Sequence, residues 1–343
     1  MKRIRNVDPA KEGRGPTGSV SSGTDDSNAP VSQAREYRLE IPKDPDLGPK
    51  GAARNLTIGL EEKSIGVIVK DLNYPFYTSV VAGAKEHAIG SGYAVVVASS
   101  DDDHESEKKL SHLFSAKDIK GTIMAPIVEG AAEIEHLFRL KRIGYPFVLL
   151  EPVRGIQANV VSIDNVKAIK TAVKYLMDGG HRRIVHFAGP QQSSHTQERI
   201  AGFRQAFSES SLVFRPEMIV AFGSHYDACF AKALAYFKGR NREEYPTAIV
   251  CFNDQQALAV MMALREMNIR VPDDVSIVGI DDIDYARVYP VPLTTIRTPQ
   301  REIGRKAAEI LIRNIESPAP PQPEQVSLDT ELIIRQSTKA LIN

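Results

Sequence analysis

Polar side chains interrupt apolar runs at several points where a buried strand would hand over to a helix. Glu151 ends Phe147-Val148-Leu149-Leu150, Asn253-Asp254 end Ala248-Ile249-Val250-Cys251-Phe252, and Asp281-Asp282 end Val275-Ser276-Ile277-Val278-Gly279-Ile280. Arg199 opens a helical stretch after the loop Ser193-Ser194-His195. Carboxylates, an amide and a guanidinium gathered around one cleft can hold vicinal hydroxyls in fixed geometry. Phe76 and Tyr77, after the Asn73-Tyr74-Pro75 turn, would add an apolar face, and His225, after Phe222-Gly223-Ser224, is a further candidate. Each aspartate also suits a helix or turn cap. Capping is the reading taken for Asp254, and ligand contact for Asp281, Asn253 and Arg199. Glu151, Ser193, His195, Phe76, Tyr77 and His225 stand open between the two roles.

Catalytic signatures are missing. The sequence holds no G-x-x-x-x-G-K-[ST] phosphate loop, no His-Glu-x-x-His pair and no G-x-S-x-G elbow. His181, His186 and His195 lack metal-ligand spacing and read as core, capping or hydrogen-bonding residues. A binding protein without metal or cofactor is expected, not an enzyme.

The elements needed to position these residues are legible from Ser64 onward. Short β-branched runs alternate with segments of helical period, beginning with Ile65-Gly66-Val67-Ile68-Val69 and the amphipathic stretch from Phe76 to Gly90. Strands Tyr93–Ala98, Gly121–Met124 and Phe147–Leu150 follow, and a second series runs from Val160–Ile163 to Ser276–Ile280. Continuous apolar strands between helices mean parallel sheets covered on both faces. Two such series predict an α/β chain of two doubly wound parallel-sheet subdomains, facing each other through the carboxyl ends of their strands, where ligands bind. Periodicity alone does not establish whether the helical segment Gln300–Ile315 crosses back to the first lobe; Leu328–Ile334 would form a last strand.

In these residues the chain resembles the LacI/GalR family of bacterial transcriptional regulators. The likeness rests on Ala52-Ala53-Arg54-Asn55-Leu56, Lys63-Ser64-Ile65-Gly66-Val67-Ile68, Asn73-Tyr74-Pro75-Phe76-Tyr77, Gly180-His181-Arg182-Arg183-Ile184 and Arg199-Ile200-Ala201-Gly202-Phe203. Pro246–Asp254 and Gly279–Asp282 with Pro292–Ile296 complete it, in order and spacing. The resemblance implies a periplasmic-binding-protein-like effector core, a homodimer, and operator binding controlled by a small sugar or nucleoside-like effector. It implies that Arg199 and Asp281 grip effector hydroxyls, with Asn253, Glu151, Ser193, His195, Phe76 and Tyr77 lining the same pocket. Ala53, Arg54, Asn55 and Leu56 would belong to a hinge helix whose leucine wedges into the DNA minor groove, which requires a two-fold partner. The domains it implies are a headpiece (1–50), a hinge and linker (51–62), an N-subdomain (63–163 plus 296–322) and a C-subdomain (164–295 plus 323–343).

The first fifty residues depart from that pattern. Ile4-Arg5-Asn6-Val7, Pro16-Thr17 and Val31-Ser32 echo a helix-turn-helix in order, yet Gly15, Gly18 and Gly23 interrupt the would-be recognition helix and Pro42 and Pro45 its third helix. Glycine and proline cost a helix about 1 and 3 kcal/mol each, so a degenerate or disordered headpiece is expected, the alternative being a DNA-independent sugar-binding sensor with an inert N-terminal tail. With a formal net charge of zero over 343 residues, any DNA-binding patch must be local. Two cysteines, Cys229 and Cys251, read as buried thiols of a reducing compartment. No apolar run of signal-peptide or membrane-spanning length occurs, so a cytoplasmic protein with no membrane partner is expected.

Overall fold

In β1 (Lys63–Val69) every residue from Ile65 to Val69 is buried, because neighbouring strands and helices cover both its faces. A computed structural model describes residues 63–127, 134–319 and 322–341. The headpiece expected over 1–50 and the hinge over 51–62, with Ala53, Arg54, Asn55 and Leu56, lie outside the described residues.

After β1 come α1 (Pro75–Gly90), β2 (Tyr93–Ser99), α2 (His104–Ser115), β3 (Ile119–Met124), α3 (Glu135–Arg142), β4 (Phe147–Leu149) and β5 (Asn159–Ile163). Pro75 at the first turn of α1 presets its backbone angle, and Asp103 caps α2 by accepting from Ser106 N at 2.8 Å. The second series is α4 (Asn165–Asp178), β6 (Ile184–Ala188), α5 (Ser194–Ser208), β7 (Ile219–Ala221), α6 (Tyr226–Phe237), β8 (Ala248–Cys251), α7 (Asp254–Glu266), β9 (Ser276–Asp281), α8 (Asp284–Val288) and β10 (Thr294–Arg297). The chain closes with α9 (Gln300–Glu316), β11 (Gln325–Leu328) and β12 (Glu331–Ile333).

These strands make two six-stranded sheets, ordered β11-β5-β4-β3-β1-β2 and β12-β10-β9-β8-β6-β7. All pairings are parallel except that of β10 with β12. Each sheet has an apolar core on both faces, as the unbroken Val and Ile runs require. Each fully buried Val or Ile contributes roughly 1.5–3 kcal/mol.

The returning helix α9 packs across α1 in the first lobe. Their backbones touch: a Cβ on Gly304 would stand 1.8 Å from the Val80 carbonyl oxygen, so only glycine fits that crossing.

The structure corrects the domain boundaries after this helix. Gln325–Leu328 runs parallel beside β5 with Val326 and Leu328 against the first core, so 325–328 belongs to the first lobe and not the second. Conversely, Ile296 and Arg297 stay in the second sheet, paired with β9. The expected single strand over 328–334 is two strands, one in each sheet, separated by the passage through Asp329 and Thr330.

Candidate functional site

The carboxyl ends of both sheets open on one cavity of about 380 Å³. Lys70 follows β1, Asp102 follows β2, Ile127 follows β3 and Glu151 follows β4; from the second sheet come Gln191 after β6, His225 after β7, Asn253 after β8 and Asp281 at the end of β9. Phe76, Tyr77, Ser193, His195 and Arg199 line it too, so all nine sequence-derived core residues face one space.

Helix α5 starts at Ser194, so Ser194 and His195, expected in the loop before Arg199, belong to the helix. His195 and Arg199 therefore stand one turn apart on one helical face, and Ser193 is the residue just before the helix. Arg199 is 5% exposed. Its Nε donates to Asn165 Oδ1 at 2.8 Å, a second N–H donates to the Phe252 carbonyl, and the guanidinium sits 4.4 Å from the centre of the Phe252 ring. Asn165 is held in turn by donating to Glu198 Oε2 at 2.8 Å.

Asp281 sits at φ +118°, in the left-handed region that non-glycine residues avoid, and Asp282 follows at φ +56°. Strain of this kind persists only where the surroundings enforce it. The restraints are visible: the Asp281 carbonyl accepts from Gln300 Nε2 at 2.6 Å, and its carboxylate accepts from the Tyr74 hydroxyl. Burial pushes the Asp281 carboxyl up to about 6, although Arg199 and the Tyr74 hydroxyl both favour the ionised form.

The two neighbouring aspartates face away from the cavity. Asp254 accepts from Ile283 N at 2.9 Å and from Thr295 Oγ1 at 2.6 Å, bracing the turn after β9. Gly279 leaves room for it, since a Cβ there would lie 2.1 Å from Asp254 Oδ1. Asp282 pairs with Arg297 at 2.8 Å and with Arg335.

On the first lobe, Glu151 is paired with Lys70, accepts from Ser193 Oγ at 3.0 Å and lies 3.9 Å from His195 Nδ1. Burial alone would raise the Glu151 carboxyl; the Lys70 ammonium overrides it and brings the group down to about 2. His195 Nε2 is 3.1 Å from Ser162 Oγ. Burial, with help from Arg199 and Lys70, lowers the His195 ring to about 4 against the pull of Glu151, so it is neutral at pH 7. Asn253 uses its side-chain oxygen to cap α7 through Gln256 N at 2.9 Å, leaving its NH₂ as the group it can offer the cavity. His225 Nε2 reaches Asp102 Oδ2 across from the other lobe at 3.0 Å.

Sequence reasoning missed Lys70 and Tyr74, which partner Glu151 and Asp281. Lys70 follows a buried apolar run just as Glu151 does, so the corner rule applied to Glu151 also points to it. His181 and His186 are elsewhere. His181 bridges Thr247 Oγ1 and the Lys339 carbonyl at 3.0 and 2.9 Å, and His186 Nδ1 bonds the Val250 carbonyl at 2.8 Å. Cys229 and Cys251 are buried free thiols.

Comparison with known proteins places this architecture. Residues 173–338 match a family described as periplasmic binding protein-like domain. The chain is 31% identical over 314 residues to the HTH-type transcriptional repressor CytR of Escherichia coli (strain K12), covering 91% of this chain and 89% of that one. It is 28% identical over 348 residues to the HTH-type transcriptional repressor PurR of Haemophilus influenzae (strain PittEE), covering all of both. Among solved structures, the transcriptional regulator CelR in complex with cellobiose superimposes with a TM-score of 0.71 at 26% identity, over 80% of this chain and 84% of that chain.

Proposed function

Because the chain belongs to the LacI/GalR family of bacterial transcriptional regulators, we propose that its cavity takes a small polyhydroxylated effector, a sugar or nucleoside-like molecule. It is a regulator with an effector-binding core and not an enzyme. Occupancy of the cavity sets the affinity of a cytoplasmic homodimer for operator DNA, with Ala53, Arg54, Asn55 and Leu56 as the hinge and residues 1–50 as a degenerate headpiece.

The observation that carries this reading is the way Arg199 and Asp281 enter the cavity. Arg199 spends its hydrogen bonds on Asn165 and the Phe252 carbonyl, and Asp281 takes its own from Tyr74; neither uses the other. A planar donor fork and a carboxylate held buried and separate suit a ligand that both donates and accepts, as a vicinal diol does. Phe76 and Tyr77, partly buried and meeting edge to face at 5.2 Å, add an apolar surface for a ring. The cellobiose complex of CelR supports the sugar class. A ligand that favours the closed arrangement of the lobes shifts the population of the two states by its differential affinity.

A thermal-shift screen of sugars and nucleosides tests it, since a ligand binding only the folded chain raises the melting temperature. At least one compound raises it in the wild type. Arg199→Ala and Asp281→Ala each remove the shift while the chain still unfolds cooperatively. Wild-type shifts in both variants would show that this cavity is not the effector site.

A further inference from the structure

Behind the cavity wall, α2 and α3 bring together His104, Glu107 and His136. His104 and Glu107 lie three residues apart on α2, on one helical face, and His136 comes from α3. One donor atom from each lies within 4.8 Å of the other two. Glu107 is fully buried and His136 is 2% exposed. Glu107 Oε1 is 2.7 Å from His136 Nε2, and Oε2 accepts from the backbone N–H of Ile127 at 2.7 Å. The two imidazole rings meet at 67° with their centres 5.3 Å apart.

The independent observation is a pair of orphans. Among the described residues, the Nδ1 atoms of both His104 and His136 are buried with no hydrogen-bond partner. A buried polar atom left unpaired costs about 1–3 kcal/mol, and here two stand in one cluster beside a buried carboxylate. The surroundings, Phe114, Ile134 and Leu137, form an apolar core that a third aromatic ring or leucine would fill without this cost. At His104 a cation can consume the orphaned Nδ1 lone pair; at His136 it takes Nε2, which already faces the Glu107 carboxylate, and the ring proton sits on Nδ1.

We propose that His104, Glu107 and His136 bind one first-row divalent transition metal, with zinc the best match. Two imidazole nitrogens and a carboxylate are a known zinc donor set, with a fourth tetrahedral position left for water. Magnesium and calcium need more oxygen donors than the site offers. Metal–ligand bonds of about 2.0–2.2 Å put tetrahedral donors roughly 3.4 Å apart. The contact between Glu107 and His136 therefore opens slightly, and the remaining donors close inward. Because Glu107 also holds Ile127, which lines the effector cavity, the metal ties α2 and α3 to the cavity wall. The site's existence does not depend on what the cavity binds. It was hidden from sequence reasoning because His136 lies 29 residues beyond Glu107 and only the fold joins them.

The test uses the full chain without a polyhistidine tag, stripped by a chelator and titrated with zinc chloride and, separately, cobalt chloride. One equivalent binds, cobalt acquires the intense visible absorption of a tetrahedral site, and zinc raises the melting temperature. His104→Ala changes the most solvent-accessible of the three residues, so the fold survives. It weakens zinc binding by at least about 100-fold, more than the loss of an outer-sphere partner typically costs, and removes the cobalt spectrum. Arg199→Ala, in the effector cavity, binds zinc as the wild type does, which separates this site from that one. No stoichiometric metal, or a His104→Ala titration indistinguishable from wild type, overturns the proposal.

Discussion

On the cavity wall built by the first lobe, Lys70 and Glu151 neutralise each other, and Ser193 supplies a further hydrogen bond to the carboxylate. On the wall built by the second, Arg199 and Asp281 are also buried but, among the described residues, partnered only by neutral groups: an amide, a peptide carbonyl and a phenol. The consequence appears in their acidities. Glu151 is pulled down to about 2, whereas Asp281 is pushed up to about 6. Burial opposes ionisation at both sites, and only at Glu151 does a contact cation overcome it. The first wall is electrostatically complete and holds shape. On the second, Arg199 and Asp281 feel each other without touching, and a ligand can supply the contact each lacks.

The comparison breaks most forcefully at Glu151. Glu151→Gln leaves the Lys70 ammonium, whose side chain is only 19% exposed, without its counter-ion. Removing one member of a buried pair costs roughly 3–5 kcal/mol, to be read as a lower urea midpoint. The double variant Lys70→Met with Glu151→Leu removes both charges and recovers most of that loss. If Glu151→Gln unfolds like the wild type, the first wall is not held by this pair.

Asp281→Asn tests the second wall and runs the other way. A carboxyl whose folded pKa is raised from 3.8 to about 6 favours folding below the unfolded value, and that contribution disappears as pH rises through 6. At pH 7.5 the ionised Asp281 is therefore a cost, and the asparagine variant without effector is more stable by roughly 3 kcal/mol at most. The gap narrows by pH 5, where the native aspartic acid is itself protonated. Effector binding is lost in the same variant. Equal stabilities at pH 7.5 would mean that Asp281 is already compensated.

The legible part of this site follows from one rule: a polar residue ending an apolar strand points past the sheet edge, where doubly wound folds bind ligands. Glu151, Asn253 and Asp281 obey it, and so does Lys70, which passes as an ordinary surface lysine until Glu151 is set beside it. Asp254 and Asp282 obey the same rule in sequence but turn away. Their partners, Ile283 N with Thr295 and Arg297 with Arg335, come from segments whose arrangement no local pattern reveals. Sheet membership of the closing strands was hidden for a similar reason. The alternation of Val326 and Leu328 marks a strand with one apolar face, but not which lobe that face covers. Tyr74 was obscured by its turn, since only the approach of the second lobe gives its hydroxyl a carboxylate.

The smallest expected effect lies where the two walls meet in solvent. His225 from the second lobe pairs with Asp102 from the first at 3.0 Å, with side chains 60% and 30% exposed. The hydrogen bond to Asp102 raises the His225 pKa above 6.5, against a smaller opposing effect of burial. A raised folded value means the contact is complete below pH 6.5 and fades as pH rises through that raised value. Since the pair spans the lobes, it favours their closed arrangement, and water and salt keep its contribution small. Effector affinity of the wild type should exceed that of His225→Ala by about threefold at pH 6, and the ratio should fall towards one as pH rises. Taking the ratio cancels the ionisation of Asp281, which both chains share. A ratio that stays constant with pH would show that closure does not use this contact, leaving others, among them Tyr74 with Asp281, Ser193 with Glu151 and His195 with Ser162, to hold the lobes together across the cavity.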